Sequence, residues 1–285
     1  MPSIMTRLSE QSSEPVPKVE GIVKHTHSFL IPAFGHSPFL EECLRSLVDQ
    51  TVRTNLIIST STPFDGLYAL AEKFGARCYV HSPNLGIAHD WNTGLSRVDT
   101  DWVTVAHQDD IYLPTFTEKV LSVIENKPDV ELVFTDYAEL FSGRVRTGTV
   151  LLIIKKILLE LGFCGRNEIK TRFSKMNCLR FGCPIPCPSV TFRGGNRDDV
   201  FNTKFRVNMD WAAWLEKAIR PGSFVWIKEI LMQHRIHSAS ETSEGIARGY
   251  RAAEDLELLG MIWPEPIARL IARTYSVAYS SNKES

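Results

Sequence analysis

The segment Val103-Thr104-Val105-Ala106-His107-Gln108-Asp109-Asp110-Ile111-Tyr112-Leu113-Pro114 decides how this chain folds. Its first residues are apolar or β-branched, which predicts a buried strand. The strand runs into two adjacent carboxylates, and open α/β sheets bind ligands beyond the carboxyl ends of their strands. Carboxylates in that place can hold a divalent cation, and the cation can hold a diphosphate. The alternative interpretation is an acidic turn that only closes the strand.

Strands and helices alternate on both sides of this segment. Short apolar runs predict strands at 28–31, 56–59, 78–81, 102–106 and 130–135. Apolar residues recur at helical spacing between them, which predicts helices at 38–50, 66–74, 86–95 and 115–126. This alternation predicts an α/β fold whose Rossmann-like, mostly parallel sheet is flanked by helices on both faces.

The second half of the sequence is less regular. Residues 149–161 form a strongly apolar segment that carries Lys155 and Lys156. We interpret it as a helix packed on the protein; the alternative is an interfacial helix whose lysines meet anionic lipid. Loops and short strands are expected over 162–200. The remaining predictions are a helix at 211–219, a strand at 224–232, and C-terminal helices at 245–259 and 265–279.

Composition excludes some classes of protein. The chain has 285 residues, 44% of them hydrophobic, and a net charge of -1, so no electrostatic attraction to nucleic acid is expected. Residues 1–21 are polar and predicted to be a disordered leader, without the apolar core of a signal peptide. No apolar run reaches the roughly 18 residues of a membrane span. A cytoplasmic location is therefore expected, with peripheral membrane contact through 149–161 as the alternative.

Three more segments carry recognisable motifs. A predicted strand opens into the turn Ile31-Pro32-Ala33-Phe34, and a helix ends in Ser46-Leu47-Val48-Asp49-Gln50-Thr51. The stretch Asn84-Leu85-Gly86 continues to Asn92-Thr93-Gly94. With the acidic segment, these motifs follow one another in an order and spacing that resembles the family 2 glycosyltransferases of the GT-A fold. The resemblance covers residues 26–137 well and 200–240 loosely.

The resemblance implies a function. Members transfer a hexosyl or deoxyhexosyl group from a nucleotide-diphospho-sugar to a saccharide or lipid-linked acceptor, as in polysaccharide synthesis, by an inverting single displacement. It implies a divalent metal, Mn²⁺ or Mg²⁺, held by Asp109 with Asp110 and His107. The implied donor-binding residues are Pro32, Ala33, Phe34, Thr60, Asn84, Gly86, Asn92, His107, Gln108, Asp109, Arg235 and His237.

The resemblance also implies a division of the chain. Residues 22–137 would bind the nucleotide sugar, and residues 138–240 would form the acceptor-side, catalytic subdomain. Residues 241–285 would add the C-terminal helices. The implied general base lies at the start of a helix about a hundred residues after the acidic motif, where this sequence has Asp210. An N-cap role would suit Asp210 equally well at that position.

Two departures from the family pattern concern the donor site. The first acidic residue of the family's metal motif is replaced by His107, which could still ligate manganese through nitrogen or bond the ribose. The carboxylates expected after the second strand are replaced by hydroxyls, Thr60 and Ser61, with Asp65 following later. Because of these departures an alternative stays open, a catalytically degenerate protein that binds a nucleotide sugar or saccharide without turnover, although the presence of Asp109 and Asp210 argues against it. A nucleotidyltransferase ranks last, because residues 32–37 contain no Lys or Arg.

Overall fold

The structure, a computed structural model, describes residues 27–194, 199–237 and 249–281. The predicted leader, residues 1–21, lies outside them. The strands within these ranges are β1 His27–Phe34, β2 Asn55–Thr62, β3 Arg77–Val80, β4 Trp102–Val105, β5 Ile111–Tyr112, β6 Val130–Phe141, β7 Arg144–Arg146, β8 Glu168–Ile169, β9 Val190–Arg193 and β10 Ser223–Ile236. The helices are α1 Leu40–Val48, α2 Leu67–Lys73, α3 Ile87–Leu95, α4 Phe116–Asn126, α5 Val150–Phe163, α6 Arg172–Leu179, α7 Met209–Ile219, α8 Tyr250–Ile262 and α9 Glu265–Ser281.

The described strands form one sheet in the order β3-β2-β1-β4-β9-β6-β10-β5, with β7 on β6 and β8 on β10. The pairs β1–β2, β1–β4, β2–β3 and β6–β10 are parallel. The short strand β9 runs antiparallel between β4 and β6, so β4 and β6 have the same direction. The predicted α/β fold with a mostly parallel sheet is confirmed, and the carboxyl ends of its long strands share one edge.

Hydrophobic burial explains why helices cover both faces of this sheet. In α1 the buried residues Leu40, Cys43, Leu44 and Leu47 recur at helical spacing and pack on one face. On the other face α7 buries Trp211 and Trp214 in a second apolar cluster. Each large side chain buried in this way contributes on the order of 2–3 kcal/mol. The two clusters fix the sheet edge at which the predicted site residues lie.

The structure corrects two predictions of local structure. Strand β1 does not end at Pro32 but continues to Phe34. Pro32 is tolerated because the pairing of β1 with β4 stops at Leu30, so the N–H that proline lacks is not needed on that side. Residues 162–200 also contain a helix, α6. Its N-cap is Thr171, whose hydroxyl accepts the N–H of Ser174 at 3.1 Å.

The division of the chain into functional regions stays a prediction. Its boundary at residue 137 falls within β6, and β9 and β10 of the following region join the same sheet as β1–β4. No helix in the described ranges is both long and apolar enough to cross a bilayer.

Candidate active site

A cleft of about 920 Å³ opens where β1 and β4 end, at the sheet edge that the sequence predicts for ligand binding. Its wall comes from β1, the start of α3, the turn after β4, α5, the start of α7 and the end of β10. Among the predicted site residues on this wall are Pro32, Ala33, Phe34, Asn84, Gly86, His107, Gln108, Asp109, Asp210 and His237. Four others, Thr60, Asn92, Asp110 and Arg235, are not part of the wall.

Asp110 is buried behind the wall and joins two elements. It is 0% exposed, and its carboxylate accepts the backbone N–H of Arg235 at 2.9 Å and Nδ1–H of His234 at 3.0 Å. A buried carboxylate needs such partners to remain charged. Burial by itself lowers the pKa of His234, but the charge and hydrogen bond of Asp110 outweigh it and raise the pKa overall. Asp110 thus fixes the turn after β4 against the end of β10.

Asp109 faces the cleft. Its Oδ2 accepts a hydrogen bond from Nε2 of His237 at 2.7 Å. Arg235 supports the same turn from outside, because its Nε donates to the backbone oxygen of Asp109 at 2.7 Å and its guanidinium pairs with Glu42 at 2.5 Å. The side chain of Arg235, predicted to bind the donor, therefore holds the acidic turn in this structure, while His237 lies in the cleft beside the carboxylate of Asp109.

His107 occupies the position of the missing acidic residue and is suited to ligate a metal. Burial lowers the pKa of His107 to about 4, so its imidazole is neutral at neutral pH. Its ring packs against Trp91 at 5.0 Å between centroids, and its buried Nε2 has no hydrogen-bond partner among the described residues. A neutral imidazole is the form that binds a metal, and Nδ1 of His107 lies 3.8 Å from Oδ2 of Asp110.

The donor set around the turn fits a divalent cation. Ligand atoms of His107, Asp110 and His234 all lie within 4.8 Å of one another, and Asp109 with His237 stands on the adjacent cleft wall. Carboxylate oxygens suit Mg²⁺ and Mn²⁺, whereas imidazole nitrogens favour the softer transition metals. A mixed set of this kind fits a divalent cation.

Phe34 and Gln108 shape the mouth of the cleft. Phe34 is 65% exposed at the end of β1, although it is a large apolar residue. Its backbone is held by Gln108, whose Oε1 accepts the N–H of Phe34 at 3.1 Å and whose Nε2 donates to its oxygen at 3.4 Å. The turn after β4 thereby fixes an exposed aromatic ring beside the carboxylate of Asp109, a surface on which a planar base can stack.

The Asn–Gly motifs serve mostly to build the loop and helix beside the cleft. The side-chain oxygen of Asn84 accepts the N–H of Gly86 at 2.9 Å, and Gly86 has a φ of 100°, which favours glycine. Asn92 forms two hydrogen bonds with the backbone of Phe201: its Nδ2 donates to the carbonyl oxygen at 2.7 Å, and its Oδ1 accepts the N–H at 2.9 Å. A Cβ at Gly94 would lie 2.9 Å from Leu30, so this glycine allows α3 to pack closely on the sheet.

The hydroxyls after β2 are also accounted for. Thr60 is 1% exposed, and its Oγ1 accepts the N–H of Thr62 at 3.0 Å, so it stabilises the turn. Ser61 donates to the carboxylate of Asp90, which comes from α3 and lines the cleft. A carboxylate therefore reaches the end of β2 from a different element than the resemblance predicts. Sequence reasoning missed Asp90 because only the packing of α3 on β2 brings it there.

Asp210 lies on another part of the cleft wall, in the first turn of α7. The N-cap of this helix is Asn208, so the alternative N-cap role of Asp210 is wrong. Its Oδ1 accepts the N–H of Trp211 at 2.7 Å. Burial raises the pKa of Asp210 above its ordinary value of 3.8, although the positive charges of Arg251 and Lys155 oppose the shift. A carboxylate with a raised pKa in a cleft is suited to accept a proton.

A second missed residue, Glu254 of α8, holds the backbone that carries Asp210. Its carboxylate accepts the N–H groups of Arg206, Val207 and Asn208 at 2.7, 2.9 and 2.8 Å. Charge-assisted bonds to three consecutive amides fix the loop that leads into α7. The sequence offers no signal for this role, because Glu254 reads as an ordinary polar residue on a C-terminal helix.

Lys155 and Lys156 of α5 both form contacts within the protein. Lys155 lines the cleft and donates to the hydroxyl of Tyr137 at 3.1 Å. Lys156 pairs with Asp136 at 2.6 Å and is 43% exposed. The alternative in which these lysines meet anionic lipid stays a prediction. Lys155 adds a positive charge to the part of the cleft that contains Asp210.

With this fold and cleft described, comparison with known proteins defines the class. The model of glycosyl transferase family 2 matches residues 28–200, and the chain belongs to this family. It is 25% identical to an uncharacterized glycosyltransferase of Haemophilus influenzae over 109 residues. These residues make up 38% of this chain and 37% of that protein. The chain thus spans little more than a third of the length of this curated relative.

Solved structures confirm the fold. A mannosyltransferase from Pyrobaculum calidifontis in complex with GDP-Man and Mn²⁺ has a TM-score of 0.59 and 13% identity, over 90% of this chain and 75% of that one. Staphylococcus aureus TarS 1-349 in complex with UDP-GlcNAc has a TM-score of 0.56 and 12% identity, over 86% and 70%. At such identities the likeness establishes the fold, which is the GT-A fold of glycosyltransferases.

Proposed function

We propose that this protein transfers a glycosyl group from a nucleotide-diphospho-sugar to a hydroxyl of a saccharide or lipid-linked acceptor. The acceptor oxygen forms a bond to the anomeric carbon as the bond from that carbon to the diphosphate breaks. The acceptor proton passes to Asp210, and the nucleoside diphosphate leaves with the bonding electrons. A single displacement of this kind inverts the anomeric centre.

One observation carries the proposal: Asp109 and Asp210, far apart in the sequence, line the same cleft. Asp109 lies among histidines and carboxylates, and Asp210 lies among Lys155, Arg251 and the start of α7. Charge stabilisation of a leaving group and removal of a proton are different tasks that need separate groups. Asp109 and Asp210 are the groups that we propose for these two tasks.

The proposed metal supports departure of the diphosphate. A divalent cation neutralises the charge that develops on the leaving oxygen. Asp109 and His237 are the groups on the cleft wall that would hold it, with His107, Asp110 and His234 next to them. The Pyrobaculum calidifontis mannosyltransferase, which shares this fold, is in complex with GDP-Man and Mn²⁺, which makes Mn²⁺ the first ion to test.

The acceptor side of the cleft has an apolar wall. Leu151, Ile154 and Leu158 of α5 line the cleft near Lys155. Apolar side chains next to a cationic group suit a saccharide that is joined to a lipid through a phosphate. We therefore favour a lipid-linked saccharide, handled at the cytoplasmic face of a membrane, over a free sugar as the acceptor.

Because the sequence departs from the family pattern at two places, a second candidate function remains, that of a degenerate protein that binds a nucleotide sugar without transferring it. His107 replaces a family carboxylate, and Thr60 with Ser61 replaces those after β2. Against it, Asp90 restores a carboxylate beside Ser61, and a protein that only binds has less use for a carboxylate placed like Asp210, half-buried on the cleft wall with its pKa raised.

A ligand panel followed by a transfer assay tests the proposal. UDP-, GDP- and dTDP-sugars are added with and without Mn²⁺ while thermal unfolding is recorded. A ligand at 100 times its Kd stabilises the native state by about 2.7 kcal/mol. Metal-dependent stabilisation by one nucleotide, with release of its diphosphate in the presence of acceptor, supports transfer. If a nucleotide sugar stabilises the protein but no nucleoside diphosphate is released with any acceptor, the degenerate alternative is supported. If no nucleotide sugar stabilises the protein, both candidate functions are contradicted.

A further inference from the structure

Helix α5 presents three different faces. Successive residues of an α-helix are about 100° apart around its axis. Leu152, Leu159 and Phe163 point into the protein and are buried. Leu151, Ile154, Lys155 and Leu158 line the cleft. Val150, Ile153, Ile157 and Leu161 fall within an arc of about 80° and are 68%, 50%, 52% and 66% exposed.

The hairpin that precedes α5 also exposes apolar side chains, and only residues 147–149 separate it from the helix. Phe141 and Val145, at the end of β6 and in β7, are 39% and 53% exposed. We group them with the four exposed residues of α5 and call the set the α5 apolar face. Scattered exposed apolar residues are normal, but an apolar stripe along one helix marks an interaction site.

Positive charges predominate beside the α5 apolar face. Residues 141–161 contain Arg144, Arg146, Lys155 and Lys156 and one acidic residue, Glu160, whose carboxylate is paired with Lys228 at 2.9 Å. Lys155 and Lys156 bind within the protein, whereas Arg144 is exposed and has no ion-pair partner among the described residues. The guanidinium of Arg146 lies 4.2 Å from the ring centre of Phe141, at the edge of the face. An apolar face with arginines at its edge complements anionic headgroups above acyl chains.

We infer that the α5 apolar face binds the surface of a membrane that contains anionic lipid. The helix would lie in the interface plane, with Val150, Ile153, Ile157 and Leu161 among the acyl chains and Arg144 at the headgroups. Ile154, which is 37% exposed and also lines the cleft, joins the membrane-facing side to the acceptor side. The inference rests on the proposed function, because membrane binding would serve transfer by bringing a lipid-linked acceptor to the mouth of the cleft.

Vesicle flotation tests the inference with the full-length protein. Vesicles of phosphatidylcholine with 30% phosphatidylglycerol are compared with vesicles of phosphatidylcholine alone. Wild-type protein should float with the anionic vesicles. Ile157→Glu should weaken binding about 10- to 100-fold, because it removes one apolar anchor and adds a charge. Arg144→Ala should weaken binding to anionic vesicles about fivefold and reduce its sensitivity to salt.

Ile219→Glu is the matched control, since Ile219 is 54% exposed at the end of α7. It should float like the wild type. Equal binding by Ile157→Glu and Ile219→Glu would overturn the inference, as would failure of the wild type to float with anionic vesicles. If sedimentation shows instead that the wild type is an oligomer and Ile157→Glu is a monomer, the α5 apolar face binds a second copy of the chain and the inference is overturned.

Nucleotide binding separates this inference from the proposed function. Ile157→Glu should keep wild-type affinity for the nucleoside diphosphate and transfer to a soluble acceptor, which also shows that it folds. Absence of nucleotide binding in the wild type contradicts the proposed function, while flotation reports on the α5 apolar face independently. Loss of flotation with normal nucleotide binding in the wild type contradicts only the inference.

Discussion

His237 donates a hydrogen bond from Nε2 to Oδ2 of Asp109 over 2.7 Å, so the end of β10 and the turn after β4 meet on one wall of the cleft. The two groups are close enough to share one cation. Asp109 was predicted from the acidic motif and His237 only as a donor-binding residue. Their contact makes them a pair whose roles can be separated by mutation.

Asp109→Ala should abolish metal-dependent nucleotide binding without unfolding the protein. The change removes a carboxylate ligand, and loss of a metal ligand or its support lowers metal affinity by about 10- to 100-fold or more. His237→Ala should give a loss of the same kind. Isothermal titration with a nucleoside diphosphate and Mn²⁺ measures both. His36→Ala, at an exposed position outside the cleft, serves as the matched control and should bind normally. Wild-type affinity in Asp109→Ala would remove the metal role.

Asp210→Asn should keep nucleotide binding and lose transfer by about 100-fold or more, the usual scale for a general base. The amide keeps an oxygen for the N–H of Trp211, so the start of α7 is preserved. Release of nucleoside diphosphate in the presence of acceptor measures kcat, and titration measures donor affinity. If transfer persisted at the wild-type rate, Asp210 would have only a structural role.

The sequence predicts the sheet well because strand and helix alternate over residues 27–137 in short, clear periods. It also predicts Asp109 and Asp210, since motif order places each at the end of a strand or the start of a helix. It cannot distinguish Asp109 from Asp110, or Arg235 from His237, because these neighbours differ only in which side of the chain they face. Asp90 and Glu254 were missed for a related reason: each acts on a segment distant in sequence, through contacts that only the tertiary fold creates.

The raised pKa of Asp210 predicts a specific pH dependence of transfer. The base must be ionised to accept a proton, so kcat should fall as the pH falls through the folded-state pKa, which burial places above 3.8. The pH profile of kcat measured with saturating donor tests this. An acid limb with its midpoint at the ordinary aspartate value would contradict the proposed environment of Asp210.

The same shift has an opposite consequence for stability. A group whose pKa is raised in the folded state stabilises the protein below its unfolded pKa, and the effect is lost as pH rises through the folded pKa. Above its folded-state pKa, the half-buried carboxylate of Asp210 therefore costs stability relative to a neutral side chain. Asp210→Asn should raise the melting temperature at pH 7, and its advantage over the wild type should shrink as the pH falls. A lower melting temperature at pH 7 would show that the charge is stabilised by its surroundings.

Two helical glycines should respond to alanine in opposite directions. A Cβ at Gly162 would lie 2.7 Å from Cα of Cys178, so α5 and α6 pack backbone to backbone there. Gly162→Ala should destabilise the protein by about 1–3 kcal/mol through overpacking. Gly260 in α8 has no atom within 4 Å of its Cβ position, so Gly260→Ala should stabilise by about 0.5–1 kcal/mol. Urea unfolding of both variants measures the difference, and equal effects would contradict the close packing of α5 on α6.

Glu254 is expected to act as a positioning residue for Asp210. Glu254→Gln leaves one oxygen to serve three backbone N–H groups, so the loop before α7 should loosen and shift Asp210 from its place in the cleft. We expect kcat to fall about 10-fold while the affinity for the nucleoside diphosphate is unchanged, because the donor groups lie on other elements.

Glu257→Gln is the matched control for Glu254→Gln, since Glu257 lies on the same helix and forms a solvent-exposed pair with Lys204. Exposed pairs contribute about 0–1 kcal/mol, so this variant should keep wild-type kcat. Both variants are assayed well below their melting temperatures, which separates misplacement from unfolding. A fall in donor affinity equal to the fall in kcat would show that Glu254 supports the whole cleft and not the base alone. Equal kcat in the two variants would show that the loop is held without Glu254.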